Sequence, residues 1–226
     1  MASDSPAPPP EHPAAIVRPY RGEDREALLA IGADTAFFGA PVEAFHEDRR
    51  LFCDLLYRYY VDHEPDLARV AEGAGEIAGF VVGAEDTGAM RARWWRSVVP
   101  GVAGRLVTGR YRLGRKTLRF FLRQGLGALR GENPHVDRDR YPAHLHVNVA
   151  AGWRSGGIGR ALLEAFFEGL RRRGVGGVHL FTTDLNAAAC HLYESMGFAL
   201  LDERPSRQWG GLVAGPVRNR AYGLRL

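Results

Sequence analysis

A chain of 226 residues, 46% hydrophobic and 25% charged, has the makeup of a water-soluble globular protein and excludes collagen, a coiled coil and wholesale disorder. At that length roughly 70% of the unfolded surface can be buried, so no staples are required; Cys53 and Cys190 make neither a disulfide framework nor a zinc site, no metal is expected, and free thiols fit a reducing compartment. The net charge of +4 is uneven: 11 of the 30 basic residues lie between Arg91 and Arg130, a stretch without Asp or Glu, and the other 19 face all 26 acids.

Residues 1–14, rich in Pro and Ala, cannot bury a core and are predicted to be a disordered tail. They lack the basic and apolar regions of a secretory signal. No later run approaches the roughly 20 apolar residues of a membrane span, so the expected address is the cytoplasm. Ala15–Tyr20 reads as a strand, and Glu23-Asp24 opens a helix to about Ala33 with acids in its first turn. From Pro41 to about His63 apolar residues recur at helical spacings, which predicts one long helix. Ala68–Glu72 and Glu76–Ala84 flank Gly73-Ala74-Gly75 and predict a hairpin whose second strand is central.

The basic stretch is predicted as two helices within residues 88–131, separated around Pro100-Gly101 and Gly104. Trp94, Trp95, Val98 and Val102 give one apolar face; Leu118, Phe121, Leu122, Leu126 and Leu129 give another. Such faces can pack on their own domain or a second subunit, as in a homodimer, or lie on an anionic surface. No nucleic-acid module accompanies the charge, which argues against that partner. Ala143–Val149, Gly156–Arg173, Val178–Thr183, Asn186–Met196 and Phe198–Glu203 then alternate strand and helix, with a final strand at Ala221–Leu226. The fold class is mixed α/β, one domain over residues 15–226.

The stretch HLHVNVAAGWRSGGIGRALLEAFF carries the chemistry. A strand runs into Arg154-Ser155-Gly156-Gly157-Ile158-Gly159 and a helix follows at once. The first N–H groups of a helix have no internal partner and sit at its positive end, which suits an anion such as a diphosphate. Glycine lets backbone approach closely, and Arg154 and Arg160 could add charge. The competing reading is a loop that only turns a corner. No Lys-Ser/Thr follows the last glycine, so it is not a P-loop, and Leu162 replaces the third glycine of a dinucleotide fingerprint.

Downstream, Asn186–Phe198 fits N-x-x-A-x-x-x-Y-E-x-x-G-F. With that block, Arg154–Gly159 resembles the R/Q-x-x-G-x-G/A acetyl-CoA signature of the GNAT acyltransferases, and Asn186–Phe198 resembles the family's next characteristic block. The resemblance covers about residues 15–226, with 88–131 an insertion beyond the minimal fold. Segments GAPVEAFHEDRRLF, DHEPD and YPAHLHVNV also resemble a bacterial branch similar to the acetyltransferase-like domain of O-GlcNAcase enzymes.

The resemblance implies a mostly antiparallel sheet splayed between two parallel strands, flanked by helices. It implies an acetyl-CoA-dependent N-acetyltransferase acting on the primary amine of a small molecule. Residues Arg154, Ser155, Gly156, Gly157, Ile158, Gly159 and Arg160 would hold the pyrophosphate. The main chain of Val147, Asn148 and Val149 would bind the pantetheine arm, with Asn186 on its other side, and Tyr193 would protonate the departing thiolate. For the base, His144 and His146 share a strand face and titrate near neutrality. A similar His-Leu-His serves arylalkylamine N-acetyltransferases, but here the pair is shifted by one residue relative to the glycine turn, and only a bulge would realign it. Local readings stay open: a core tyrosine bonded nearby, or satisfied histidines on a half-buried strand. Phe45, Tyr59, Tyr60, Asp48, Asp54 and Glu64 could line an amine pocket. A module that binds acetyl-CoA without turnover, and a peptide or protein N-acetyltransferase, are the alternatives.

Overall fold

The computed structural model describes residues 15–226; the expected tail at 1–14 lies outside the described residues. Seven strands form one sheet in the order β1-β2-β3-β4-β5-β7-β6. β1 (Ile16–Pro19), β2 (Arg69–Gly73), β3 (Glu76–Ala84) and β4 (Ala143–Val149) are antiparallel neighbours. β5 (Gly177–Thr183) runs parallel to β4, while β7 (Val217–Arg225) and β6 (Ala199–Ser206) return antiparallel. The mixed α/β class holds, with one parallel pair in a mostly antiparallel sheet. The β2–β3 hairpin closes through Ala74 and Gly75, both at positive φ (52° and 81°), the twist that a tight hairpin needs.

Helices cover both faces of the sheet. α6 (Ile158–Arg172) buries Leu162, Leu163, Phe166 and Leu170 on one face. α1 (Arg25–Asp34), α2 (Arg49–Leu56), α3 (Arg58–His63) and α4 (Thr87–Val107) cover the other, around Leu28, Leu51, Tyr59 and Phe80. Each such side chain contributes about 1.5–3 kcal/mol relative to exposure. β3 is central and nearly all apolar because both of its faces are covered: Phe80, Val81 and Val82 are fully buried. α5 (Arg115–Leu129) and α7 (Ala187–Ser195) complete the fold.

Two expectations are corrected. The helix from Pro41 to His63 is three pieces: a 3-10 turn at Val42–Ala44, then α2, then α3. Asp48 is extended, and its carboxylate accepts from Leu51 N at 2.8 Å. That N-cap starts a new helix where periodicity alone would continue the old one. Pro100 lies inside α4 rather than between two helices. Proline costs a helix interior about 3 kcal/mol; here burial of Val98 and Val102 on the inner side offsets it. The break falls after Val107, where Gly109 has φ +66° and Gly114 passes under the Glu47 carboxylate so closely that any Cβ would collide.

Of the readings open for the leucine face of α5, packing on its own domain does not occur: Leu122 is 63% and Leu129 86% exposed, whereas Thr117 and Gly127 are buried. Polar bonds, with Phe120 packed on the core, anchor this helix. Glu47 accepts from Lys116 N at 2.7 Å and Thr117 N at 2.8 Å. Desolvation raises the Glu47 pKa, but these bonds outweigh it and hold the group at about 2. Its folded pKa is depressed, so the stabilisation is complete above the ordinary value of 4.5 and is lost as pH falls through about 2. Such a cap contributes about 1 kcal/mol. Glu47→Gln is therefore expected to speed amide hydrogen exchange across residues 115–129 about 5-fold at pH 7; unchanged exchange would remove Glu47 as the anchor.

Candidate active site

The site begins where two strands part. β4 and β5 pair only at Ala143–Val178 and His144–His179. Beyond that, β4 stays on β3 through Val149 and β5 stays on β7 through Thr183. The main chain of residues 145–149 thus has no strand on its β5 side. A cavity of about 550 Å³ opens at this gap, and Val147, Asn148, Leu180, Asn186 and Tyr193 line it. The separation has the form of a slot for an extended arm that pairs with backbone.

At the end of β4 the chain turns through Ala151–Trp153, then Ser155 (φ +68°) and Gly157 (φ +77°), into α6. The first internal bond of α6 is Ala161 N to Gly157 O at 3.1 Å, so the N–H groups of Ile158, Gly159 and Arg160 precede its ladder. Space around Gly157 is open, which leaves room for a bulky anion. A Cβ on Gly159 would lie 3.0 Å from Leu192, so this glycine permits α6 to approach α7. The arginines are committed elsewhere. Arg154 bonds Val149 O (3.2 Å) and Gly39 O (3.1 Å), strapping the end of β4 to the loop after α1. Arg160 bonds Ser195 Oγ at 2.9 Å.

The two candidate histidines are separated in role. His144 is buried with both ring nitrogens bonded, and it does not line the cavity. The Thr87 hydroxyl donates to Pro142 O (2.7 Å), so its oxygen accepts from His144 Nδ1–H at 2.8 Å. His144 Nε2 then accepts the Tyr60 hydroxyl at 2.7 Å, and the Tyr60 oxygen accepts His146 Nε2–H at 3.2 Å. Bond by bond, this chain leaves the Nδ1 lone pair of His146 as its unprotonated nitrogen. His146 lines the cavity. Desolvation, then the nearby His179, lowers its pKa to about 4, so the ring is neutral across the physiological range. The β3–β4 register runs without a bulge, so nothing realigns the His-Leu-His pair with the glycine turn.

Asn148 donates to Thr35 Oγ1 at 2.7 Å and accepts from Tyr57 OH at 3.4 Å, which fixes its amide at the cavity wall. Tyr57 itself fits only because residue 32 is glycine: a Cβ there would lie 2.5 Å from its ring. Tyr193, on α7, is buried against Phe198 and Tyr222 and lines the cavity. Desolvation raises its pKa well above the ordinary phenol value, so it holds its proton at neutral pH.

None of the acids expected to line the cavity does so. Asp48 caps α2, Asp54 takes Arg105 (2.8 Å) and Tyr111 (2.5 Å), and Glu64 takes the Tyr59 hydroxyl (3.0 Å). Phe45 does line it, while Tyr60 stands behind the histidines. No motif points to Thr35, Tyr57, Thr87 or Trp209, because each reaches the site across a long stretch of chain. Tyr60, expected to line an amine pocket, instead stands behind the histidines, and Tyr57, which no motif marked, lines the cavity.

A family model described as the acetyltransferase (GNAT) family matches residues 118–198. The crystal structure of SsHAT aligns with a TM-score of 0.71 and 32% identity, covering 94% of this chain and 98% of that one. The chain belongs to the GNAT acetyltransferase family. Mycothiol acetyltransferase of Nocardiopsis dassonvillei is 46% identical over 56 residues, which span 25% of this GNAT chain and 17% of that protein. The structure of yncA from Salmonella typhimurium, solved with its cofactor acetyl-CoA, shares the fold at 18% identity and a TM-score of 0.56, covering 94% of each chain.

Proposed function

We propose that this chain moves an acetyl group from acetyl-CoA to the primary amine of a small molecule by direct attack on the thioester. The observation that carries the reading is one cavity onto which the strand gap, His146 and Tyr193 all open. The α6 N-terminus suits the diphosphate and the unpaired β4 main chain suits the pantetheine arm and the acetyl carbonyl. The amine lone pair attacks the carbonyl carbon, and its nitrogen becomes acidic as the bond forms. His146 Nδ1 takes that proton, directly or through water. The C–S bond breaks, and Tyr193 gives its proton to the thiolate.

α5 supports a small acceptor rather than an extended peptide, because Phe120, Phe121 and Gln124 wall the cavity. The finer reading, a bacterial branch similar to the acetyltransferase-like domain of O-GlcNAcase enzymes, rests on the quoted segments alone; Phe45 and His46 of one and His146 and Asn148 of another line this cavity. The exposed Leu118, Leu122 and Leu129 suit self-association of α5 with a second copy. Cys53 and Cys190, both free and buried, suit a cytoplasmic setting.

Calorimetric titration with coenzyme A tests the reading. Gly157→Val forces a side chain into φ +77°, a cost of about 1–2 kcal/mol, and is expected to weaken binding about 10-fold. Absence of coenzyme A binding by the folded wild-type chain would end the proposal. Binding without thiol release across a panel of amines would instead favour a non-catalytic module.

A further inference from the structure

Away from the strand gap the cavity ends in aromatic rings. Phe45 lies 4.7 Å from Phe120 and 5.7 Å from Trp209, between centroids. Tyr57 carries this wall to the histidine, its ring 6.0 Å from Phe52 and 6.0 Å from His146. Among the described residues, no Asp, Glu, Lys or Arg lines the cavity. Two buried donors there, His46 Nε2 and Trp209 Nε1, lack a partner. His46 is 1% exposed, and its Nδ1 accepts from Asp48 N at 3.2 Å, which places the ring proton on Nε2.

We infer that the acceptor is a primary amine borne on an aromatic group with no second charge. Its ring packs at the Phe45–Phe120–Trp209 end, and a neutral oxygen or π-face on it meets the His46 or Trp209 donor. The inference rests on the acetyl-transfer reading above. A second ammonium, carboxylate or phosphate on the acceptor would be stripped of water with no opposite charge to receive it. A polyhydroxylated sugar amine would exchange its hydration for ring faces. An aromatic group instead gains buried area and edge-to-face contacts, and it leaves only the amine to reach His146 and Asn148.

The test uses the full chain saturated with coenzyme A, titrated by calorimetry with 2-phenylethylamine, cadaverine and glucosamine. The same amines are then assayed for thiol release from acetyl-CoA. The expected result is affinity for 2-phenylethylamine at least about 30-fold above the other two, and kcat/KM about 100-fold above. Phe120→Ala and Trp209→Ala are each expected to raise the KM for 2-phenylethylamine about 10-fold; retained coenzyme A affinity shows that a variant has folded, and Phe45→Leu replaces either one that has not. Equal or better use of cadaverine or glucosamine overturns the aromatic acceptor and leaves acetyl transfer standing. Selective binding of 2-phenylethylamine without thiol release overturns acetyl transfer and leaves the binding class standing.

Discussion

Replacement of His146 by glutamine is expected to lower kcat/KM about 10²–10⁴-fold, the range of a lost general base, with acetyl-CoA affinity little changed. Glutamine keeps an N–H that can reach the Tyr60 oxygen but offers no basic nitrogen. The pH profile sharpens the test. Burial holds the imidazole at about 4 instead of its ordinary 6.5, so the enzyme's acid limb in kcat/KM falls near pH 4. Between pH 5 and 9 the wild-type profile follows the titration of the amine, with no inflection near 6.5. The same shift bears on stability: the folded pKa lies below the unfolded one, so stability declines as pH drops below about 6.5 and the unfolded chain takes up protons first. Rates of His146→Gln within about 2-fold of wild type would remove His146 from the chemistry. On the proposed mechanism a base this weak acts late, when the attacking nitrogen already carries positive charge.

Tyr193→Phe carries the second large effect, a fall in kcat of about 10²-fold with the KM for acetyl-CoA held within about 2-fold. The ring contacts with Phe198 and Tyr222, at 5.7 and 6.0 Å, survive the change, so thermal stability is expected to stay near wild type. Loss of rate then reports on the hydroxyl proton. A thioester whose thiol has a lower pKa needs that proton less and is expected to recover much of the lost rate. An undiminished kcat would mean that water protonates the thiolate and that Tyr193 serves packing alone.

Several elements were legible because their signals are local. Period-two alternation marked β4, glycines at positive φ marked the hairpin and the turn into α6, and Gly174 and Gly197 marked helix ends. The part of the site proposed for the cofactor was legible as one stretch because β4, the turn and α6 are contiguous, while the resemblance supplied its assignment to a cofactor. The acceptor side was not. Asp48 and Asp54 carry the charge expected of an amine pocket, yet one caps a helix and the other holds Arg105 and Tyr111. The leucines of α5 repeat as a buried face would, yet that helix is held by Glu47 with its leucines outward.

From residues alone came most of the strands, the mixed α/β class and the anion-suited turn, since each rests on signals within a few positions of chain; the resemblance, carried by Arg154–Gly159 and Asn186–Phe198, added the splayed sheet and the part given to Tyr193. Tertiary structure alone separates His144, bonded at both ring nitrogens, from His146, which lines the cavity. That separation depends on Tyr60, which lies 84 and 86 residues away from them, and on Thr87, 57 residues from His144. It likewise makes one end of the cavity aromatic, the end proposed for the acceptor, because Phe45, Phe120 and Trp209 meet only once the sheet and its flanking helices have closed. Hydrogen-bond direction and desolvation are properties of such assembled neighbourhoods, and no spacing rule encodes them.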